Sequence, residues 1–495
     1  MTSPKPVRVR VAPSPTGHMH LGTARTALYD YLLARKTGGA FILRIEDTDI
    51  KRTVPGAEQE IMDGLRWLGL EYDEGPDVGG PHAPYRQTER RDLYLEQSRL
   101  LVESGHAYPC FCTPARLAEM REAQQRRREP PHYDGTCRLI SPEEANRRRR
   151  AGEAHVIRFK MPEDGVTIAQ DLIRGEITVE NKNVDDYILL KSDGLPTYHL
   201  AAMVDDHFMG ITHVLRGAEW LSTFPLHVNV VRAFGWTEPV WVHLSLFLRP
   251  SGKGKMSKRD GAQSMKDGYS IYVKDMQELG FIPEGVLNWC ALMGWGVAED
   301  DVMTLDEMVG RFDLNHLTPS PAAINFAKLD HFNGTHIRRL AADDLKRRLA
   351  PHFSRDGAPV DAELLGRIVP LIQERMTTLE DALPMAGFLL SGTVSPNPSE
   401  LVAKGLNAGQ CARAARRTAE ALRAIATWRA AELEGSMRAV AEELGMEAGQ
   451  LFGIVRVATT GQKISPPLFG SLEIIGRERT LERLENAAAS LEVMS

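Results

Sequence analysis

Lys255-Met256-Ser257-Lys258-Arg259 places three cations and one hydroxyl in five residues. Gly252 and Gly254 precede the run and Gly261 follows it. Glycine on both sides frees the backbone, so the segment reads as a mobile loop suited to phosphate. A basic pentapeptide by itself is more often a solvated turn, and a second segment decides against that. Pro13-Ser14-Pro15-Thr16-Gly17-His18-Met19-His20-Leu21-Gly22-Thr23 is a Pro/Gly-rich turn with a His and a Gly where a helix should start. A helix N-terminus offers unpaired N–H groups and the positive end of a dipole, which favour phosphate. A third group is cysteine. Cys110, Cys112 and Cys137 cluster, while Cys290 and Cys411 stand apart. Three thiolates fill all but one position of a tetrahedral zinc. An odd cysteine count argues against a disulfide framework.

These groups need a scaffold. Val7, Val9 and Val11 alternate with Arg8 and Arg10, which is strand periodicity. Beyond the turn, Ala24, Ala27, Leu28, Tyr31 and Leu32 recur at helical spacing, closed by Lys36-Thr37-Gly38-Gly39. Phe41, Ile42, Leu43 and Ile45 form a second strand that ends at Glu46-Asp47-Thr48-Asp49. Strand–helix–strand implies a parallel sheet, with ligands past the strand carboxyl ends. A further helix is expected over 55–70.

Residues 78–183 break the alternation and read as an insertion. The sheet is expected to resume at 187–190 and to run through 204–207 and 213–216. Helices are expected at 282–292 and 304–312. From about Asn333 the chain is nearly all helical, and a polar joint at 393–399 would divide that part in two. Sustained heptads are missing over 410–444, so a helix bundle is expected there. The fold class is therefore α/β: a Rossmann-like parallel-sheet domain (1–77 and 184–262), an α/β insertion (78–183), a connecting domain (263–332) and an all-α half (333–495).

The 495 residues are 43% hydrophobic and 25% charged, with a formal net charge of −6. That argues against a protein that coats nucleic acid indiscriminately. It leaves room for a selective RNA binder with local basic patches such as Arg126–Arg128 and Arg147–Arg150. No apolar run reaches the roughly 18 residues of a membrane span. The N-terminal residues lack the apolar core of an export signal, so a cytoplasmic location is expected.

The two segments together resemble the signature sequences of class I aminoacyl-tRNA synthetases, and the phrases around them resemble glutamyl-tRNA synthetase. His20-Leu21-Gly22-Thr23 matches the first signature, with Thr23 in place of its final His, and 255–259 matches the second. Arg10–Gly17, Arg44–Asp49, Pro196–Ala201 and Leu215–Trp220 match further phrases, as do Val455–Ala458 and Pro466–Phe469. The resemblance implies ATP, Mg²⁺, L-glutamate and tRNA(Glu) as ligands, and a monomer. It implies ATP contacts at Ser14, Thr16, Gly17, His20, Gly22, Thr23, Glu219, Lys255, Ser257 and Lys258, with His20, Lys255 and Lys258 catalytic. It implies glutamate contacts at Arg10, Ala12, Ser14, Glu46, Tyr198, Ala202 and Arg216. Ala202 departs from relatives with Asn there. Some relatives place a zinc-binding His where this chain has Leu139, and others use a Tyr four residues before the third Cys. Cys110, Cys112, Cys137 and Tyr133 are thus the implied ligands of a structural zinc. Arg375 lies where the family reads the last anticodon base.

Three other functions share parts of this pattern. An enzyme that glutamylates a modified tRNA base would lack the helical half. A non-catalytic RNA-binding paralogue would carry damaged signatures. A small-molecule adenylating enzyme would not need a helical half of this size.

Overall fold

The computed structural model describes residues 6–256, 269–296, 301–354 and 360–494. The chain forms two compact units. One comprises Met1–Glu278 and Val286–Leu329, the other Leu279–Gly285 and Asp330–Ser495.

In the first unit β1 (Arg8–Val11) and β2 (Ala40–Leu43) pair in parallel, Arg8 opposite Ala40 and Val11 opposite Leu43. The helix between them is α1 (Leu21–Thr37). Gly38, at φ 65°, ends it, since few residues other than glycine accept that left-handed turn. The helix α2 spans Ala57–Trp67. Parallel strands covered on both faces bury successive residues, and Val9, Arg10 and Val11 are all buried. Strand β8 (His213–Gly217) runs beside β1, where Thr212 N donates to Arg8 O at 2.9 Å. Strand β9 (Val240–Leu244) pairs with β8 in parallel, Arg216 opposite His243.

The region 78–190 supplies two separate structures. The strands β3 (Ala107–Cys110), β4 (Val156–Phe159) and β7 (Ile188–Leu190) form an antiparallel sheet. The hairpin β5 (Val166–Asp171) and β6 (Gly175–Glu180) instead joins β9, through Asp171 opposite Trp241. Two sequence expectations are therefore corrected. Residues 188–190 do not resume the parallel sheet but close the antiparallel one. Residues 204–207 are not a strand; they lie in α6 (Tyr198–Phe208), which buries Leu200, Ala201, Met203 and Val204. A short apolar run does not separate a buried strand from a buried helix.

The second unit is helical. One apolar cluster includes Leu345, Leu349, Ile368 and Val369 before residues 393–399 and Leu422, Val440, Ile454 and Leu484 after them. The helices Ala408–Ala424 and Arg477–Glu492 bury small residues, among them Ala415, Ala419, Ala487 and Ala488, which permit close packing. Among the described residues, no helix is long and apolar enough to cross a membrane.

Candidate active-site crevice

The turn from β1 to α1 sets the site. His20 has extended backbone, φ −86° and ψ 147°, and caps α1 with its own ring: Gly22 N donates to His20 Nδ1. Beside this turn lies a cavity of about 620 Å³. Its lining includes Arg10, Ala12, Ser14, Glu46, Tyr198 and Arg216, together with His20, Gly22, Thr23, Glu219 and Lys255. Eleven positions predicted from scattered sequence phrases thus share one wall.

Not all predicted positions do. Gly17 lines a separate hollow with His18 and Met19. Thr16 N donates to Ser14 O, which holds the turn. Ala202 is fully buried in the apolar core and does not line the crevice. Ser257 and Lys258 lie outside the described residues.

The charged groups are held by partners that the sequence reading missed. Asp206 receives Arg10 Nε at 2.9 Å, Arg10 Nη2 at 3.2 Å and Arg44 Nη1 at 2.6 Å. Arg44 Nη2 reaches Glu46 at 3.2 Å. Burial opposes the charge of Arg10, but the Asp206 carboxylate outweighs it and holds the guanidinium pKa above its usual value. Burial likewise opposes ionisation of Asp206, and Arg10 and Arg44 reverse that. Glu46 differs. Burial raises its pKa to about 7, with Arg44 and Arg10 only partly offsetting it. The signal for Asp206 was present in the sequence, but a carboxylate on a helix can face Arg10 whereas the expected strand hid that.

Arg216 is buried, and burial lowers its pKa. A guanidinium stays charged at neutral pH even so. Its Nη1 lies 3.5 Å from the Tyr198 hydroxyl, and its buried Nη2 has no hydrogen-bond partner among the described residues. Tyr198 is fixed by stacking on Trp220, with ring centroids 3.9 Å apart. Arg25 ties α1 to the next segment, donating from Nη1 to Ser245 Oγ and Met293 O and from Nη2 to Ser245 O. Lys255, at the start of the basic loop, sits 3.4 Å from Glu219.

Two buried guanidiniums and one carboxyl in the same crevice suit a zwitterion with an acidic side chain. The imidazole, the helix N-terminus and Lys255 suit phosphate.

The cysteines also converge. The Sγ atoms of Cys110, Cys112 and Cys137 lie within 4.8 Å of one another. The Tyr133 hydroxyl is 3.4 Å from both Cys110 Sγ and Cys112 Sγ. Side-chain hydrogen bonding with Cys137, then with Tyr133, holds the Cys110 pKa below the usual thiol value, against burial. A set of three thiols and a phenol at this spacing has the donor chemistry of a tetrahedral zinc site.

Comparison with known proteins matches the geometry. Residues 6–331 match the family model for tRNA synthetases class I (E and Q), catalytic domain. Residues 344–488 match an anticodon binding domain. A glutamate–tRNA ligase from Dehalococcoides mccartyi is 42% identical over 99% of this chain and 98% of its own length. One from Acidothermus cellulolyticus is 44% identical over 98% and 95%. The crystal structure of a glutamate tRNA ligase from Elizabethkingia meningosepticum, in complex with its amino acid, is 36% identical. It aligns with a TM-score of 0.89 over 98% of this chain and all of that one.

Proposed function

The chain belongs to the class I tRNA synthetases of the glutamate and glutamine family, and we propose that its crevice activates L-glutamate with ATP and passes it to the 3′ end of tRNA(Glu). It is a ligase that attaches glutamate to tRNA for translation.

The first step is attack of the glutamate α-carboxylate on the α-phosphorus of ATP. A carboxylate–phosphate bond forms, and the bond to pyrophosphate breaks. The nucleophile is already an anion, so no general base is needed. Positioning and phosphate-charge stabilisation lower the barrier. His20 and Lys255 line the crevice for that work, and the match to the second signature assigns Lys258 the same work. In the second step the terminal ribose hydroxyl attacks the acyl carbon, and AMP leaves. Arg10 and Arg216 bind carboxylate, and Glu46 takes the ammonium. Mg²⁺ bound with ATP would neutralise phosphate charge. Glu219, the exposed carboxylate of the lining, would offer it an oxygen.

The observation that carries this reading is the meeting of Arg10, Arg216, Glu46 and His20 in one cavity. A structural zinc held by Cys110, Cys112, Cys137 and Tyr133 is supported by their spacing. We assign 78–183 to the acceptor end of the tRNA, 263–332 to its stem and 333–495 to its anticodon arm, in a monomeric cytoplasmic enzyme. ATP–pyrophosphate exchange tests the whole: glutamate should drive it, and tRNA(Glu) should strengthen it. Exchange driven equally by other amino acids would refute the assignment.

A further inference from the structure

Arg216, His243 and Asp171 stand side by side on three neighbouring strands, β8, β9 and β5. Arg216 and His243 are register partners in the parallel pair, and Asp171 lies opposite Trp241, two residues before His243. Arg216 Nε donates to His243 Nε2 at 2.9 Å. His243 Nδ1 lies 2.7 Å from Asp171 Oδ2. The same oxygen accepts the backbone N–H of His243 at 2.9 Å, and Asp171 Oδ1 accepts those of Ile173 and Arg174. All three side chains are buried.

The donors dictate the protonation of the ring. A guanidinium only donates, so His243 Nε2 must accept, and the ring proton must sit on Nδ1 and point at Asp171. Asp171, anchored by three backbone amides, cannot turn away. Burial also holds the His243 pKa down, to about 4, so the ring is neutral at working pH. With Nε fixed and Nη1 near the Tyr198 hydroxyl, one nitrogen of the guanidinium, Nη2 with its two N–H groups, is left without a partner among the described residues.

We propose that Asp171 and His243 are positioning residues that hold Arg216 in the one orientation that selects a carboxylate over a carboxamide side chain. The proposal rests on reading the crevice as a glutamate site. A fixed N–H edge meets an acceptor on either oxygen of a carboxylate. With a carboxamide, one of the two groups is itself a donor, and a guanidinium that cannot rotate cannot avoid it. A free Arg216 could swing and accept either ligand.

The test is pyrophosphate exchange with tRNA present, using glutamate and glutamine, on the full chain and on His243→Leu, His243→Gln and Asp171→Asn. Glutamate-dependent exchange by the unaltered chain establishes the crevice; its absence refutes that reading, separately from the relay. Asp171→Asn presents an amide donor to the ring, which turns a second N–H toward Arg216 Nε. His243→Leu removes the acceptor. Both should raise the glutamate KM about tenfold or more, the loss expected when a buried donor is orphaned. The preference for glutamate over glutamine should fall by a similar factor, while the ATP KM stays nearly constant. His243→Gln, whose carbonyl can accept from Arg216, should recover most of the preference. Unchanged preference in folded variants, or equal loss toward ATP and glutamate, would overturn the proposal. Loss of fold in all three would overturn it too, leaving a structural role.

Discussion

Gly22 donates its backbone N–H to Nδ1 of His20 at 2.9 Å. That bond puts the imidazole proton on Nε2 and fixes the ring at the start of α1. A Cβ on Gly22 would stand 3.3 Å from His20 Nδ1, tighter than most contacts, so the ring would have to shift. Gly22→Ala should keep the fold, because alanine favours a helix by up to about 1 kcal/mol over glycine. The rate of adenylate formation should nevertheless fall about tenfold or more, since a catalytic donor moved by fractions of an ångström loses its alignment. Thermal melting and pyrophosphate exchange measured together check this. An unchanged rate would remove His20 from the chemistry.

Glu46 should give glutamate binding a pH dependence near neutrality. Its carboxyl has a pKa of about 7, raised mainly by burial. Above that pH it is an anion and attracts the substrate ammonium; below it the attraction is lost. The glutamate KM should therefore rise as pH drops from 8 to 6, with less effect on the ATP KM. The stability linkage has the opposite sign. A carboxyl raised above its ordinary 4.5 contributes stability that is full below that value and disappears as pH rises through 7. Glu46→Gln should flatten both profiles, and a KM independent of pH over that range would argue against the role.

Much of the catalytic scaffold was legible in the sequence because its signals are local. Alternating valines before a Pro/Gly turn, a helical apolar stripe and Gly38 after Thr37 each specify their own element. Arg10, Glu46 and Arg216 were legible because they sit in recognisable phrases. The supports of those residues were not. Asp206 meets Arg10 across 196 positions and Asp171 meets His243 across 72, and no local pattern encodes such a pairing. Asp206 was further hidden by reading 204–207 as strand. Ala202 shows the converse: a phrase pointed at it, but packing places it in the apolar core and not in the crevice lining.

Lys258 should act on the transition state more than on bound ATP, because negative charge grows on the departing pyrophosphate. Lys258→Ala should lower the rate of adenylate formation about a hundredfold or more, a loss typical of one preorganised charge donor. ATP affinity should change much less. Single-turnover adenylate formation at saturating ATP separates the two effects.

Zinc analysis of the purified chain should find about one metal per molecule. Cys112→Ser should lose it, since a hydroxyl is a poor ligand where a thiolate was. Cys112 also lies 3.3 Å from Arg116 Nη1, so the variant could disturb packing without any metal. Chelation of the unaltered protein, followed by melting, isolates the metal's own contribution. A metal-free native protein that is fully active would remove the site. Retention of metal by Tyr133→Phe would exclude Tyr133 as the fourth ligand.

Arg375 should tune anticodon dependence. It is exposed on the helical unit, and its Nη1 donates to Ser465 O at 2.7 Å. Arg456 Nη1 reaches Ser465 Oγ at 2.6 Å, so two guanidiniums converge on one residue. The region falls within the match to an anticodon binding domain. A tethered arginine with remaining donors is suited to a base edge, because the tether fixes its direction. Arg375→Ala should lower charging of tRNA(Glu) about tenfold at subsaturating RNA, the cost of one good base contact. It should also reduce the penalty for changing the last anticodon base. A merely structural arginine would behave differently: its loss would lower the melting temperature and weaken charging of every anticodon variant alike. Charging of a panel of anticodon variants, measured beside the melting curve, distinguishes these outcomes, and an unchanged panel would remove Arg375 from RNA recognition.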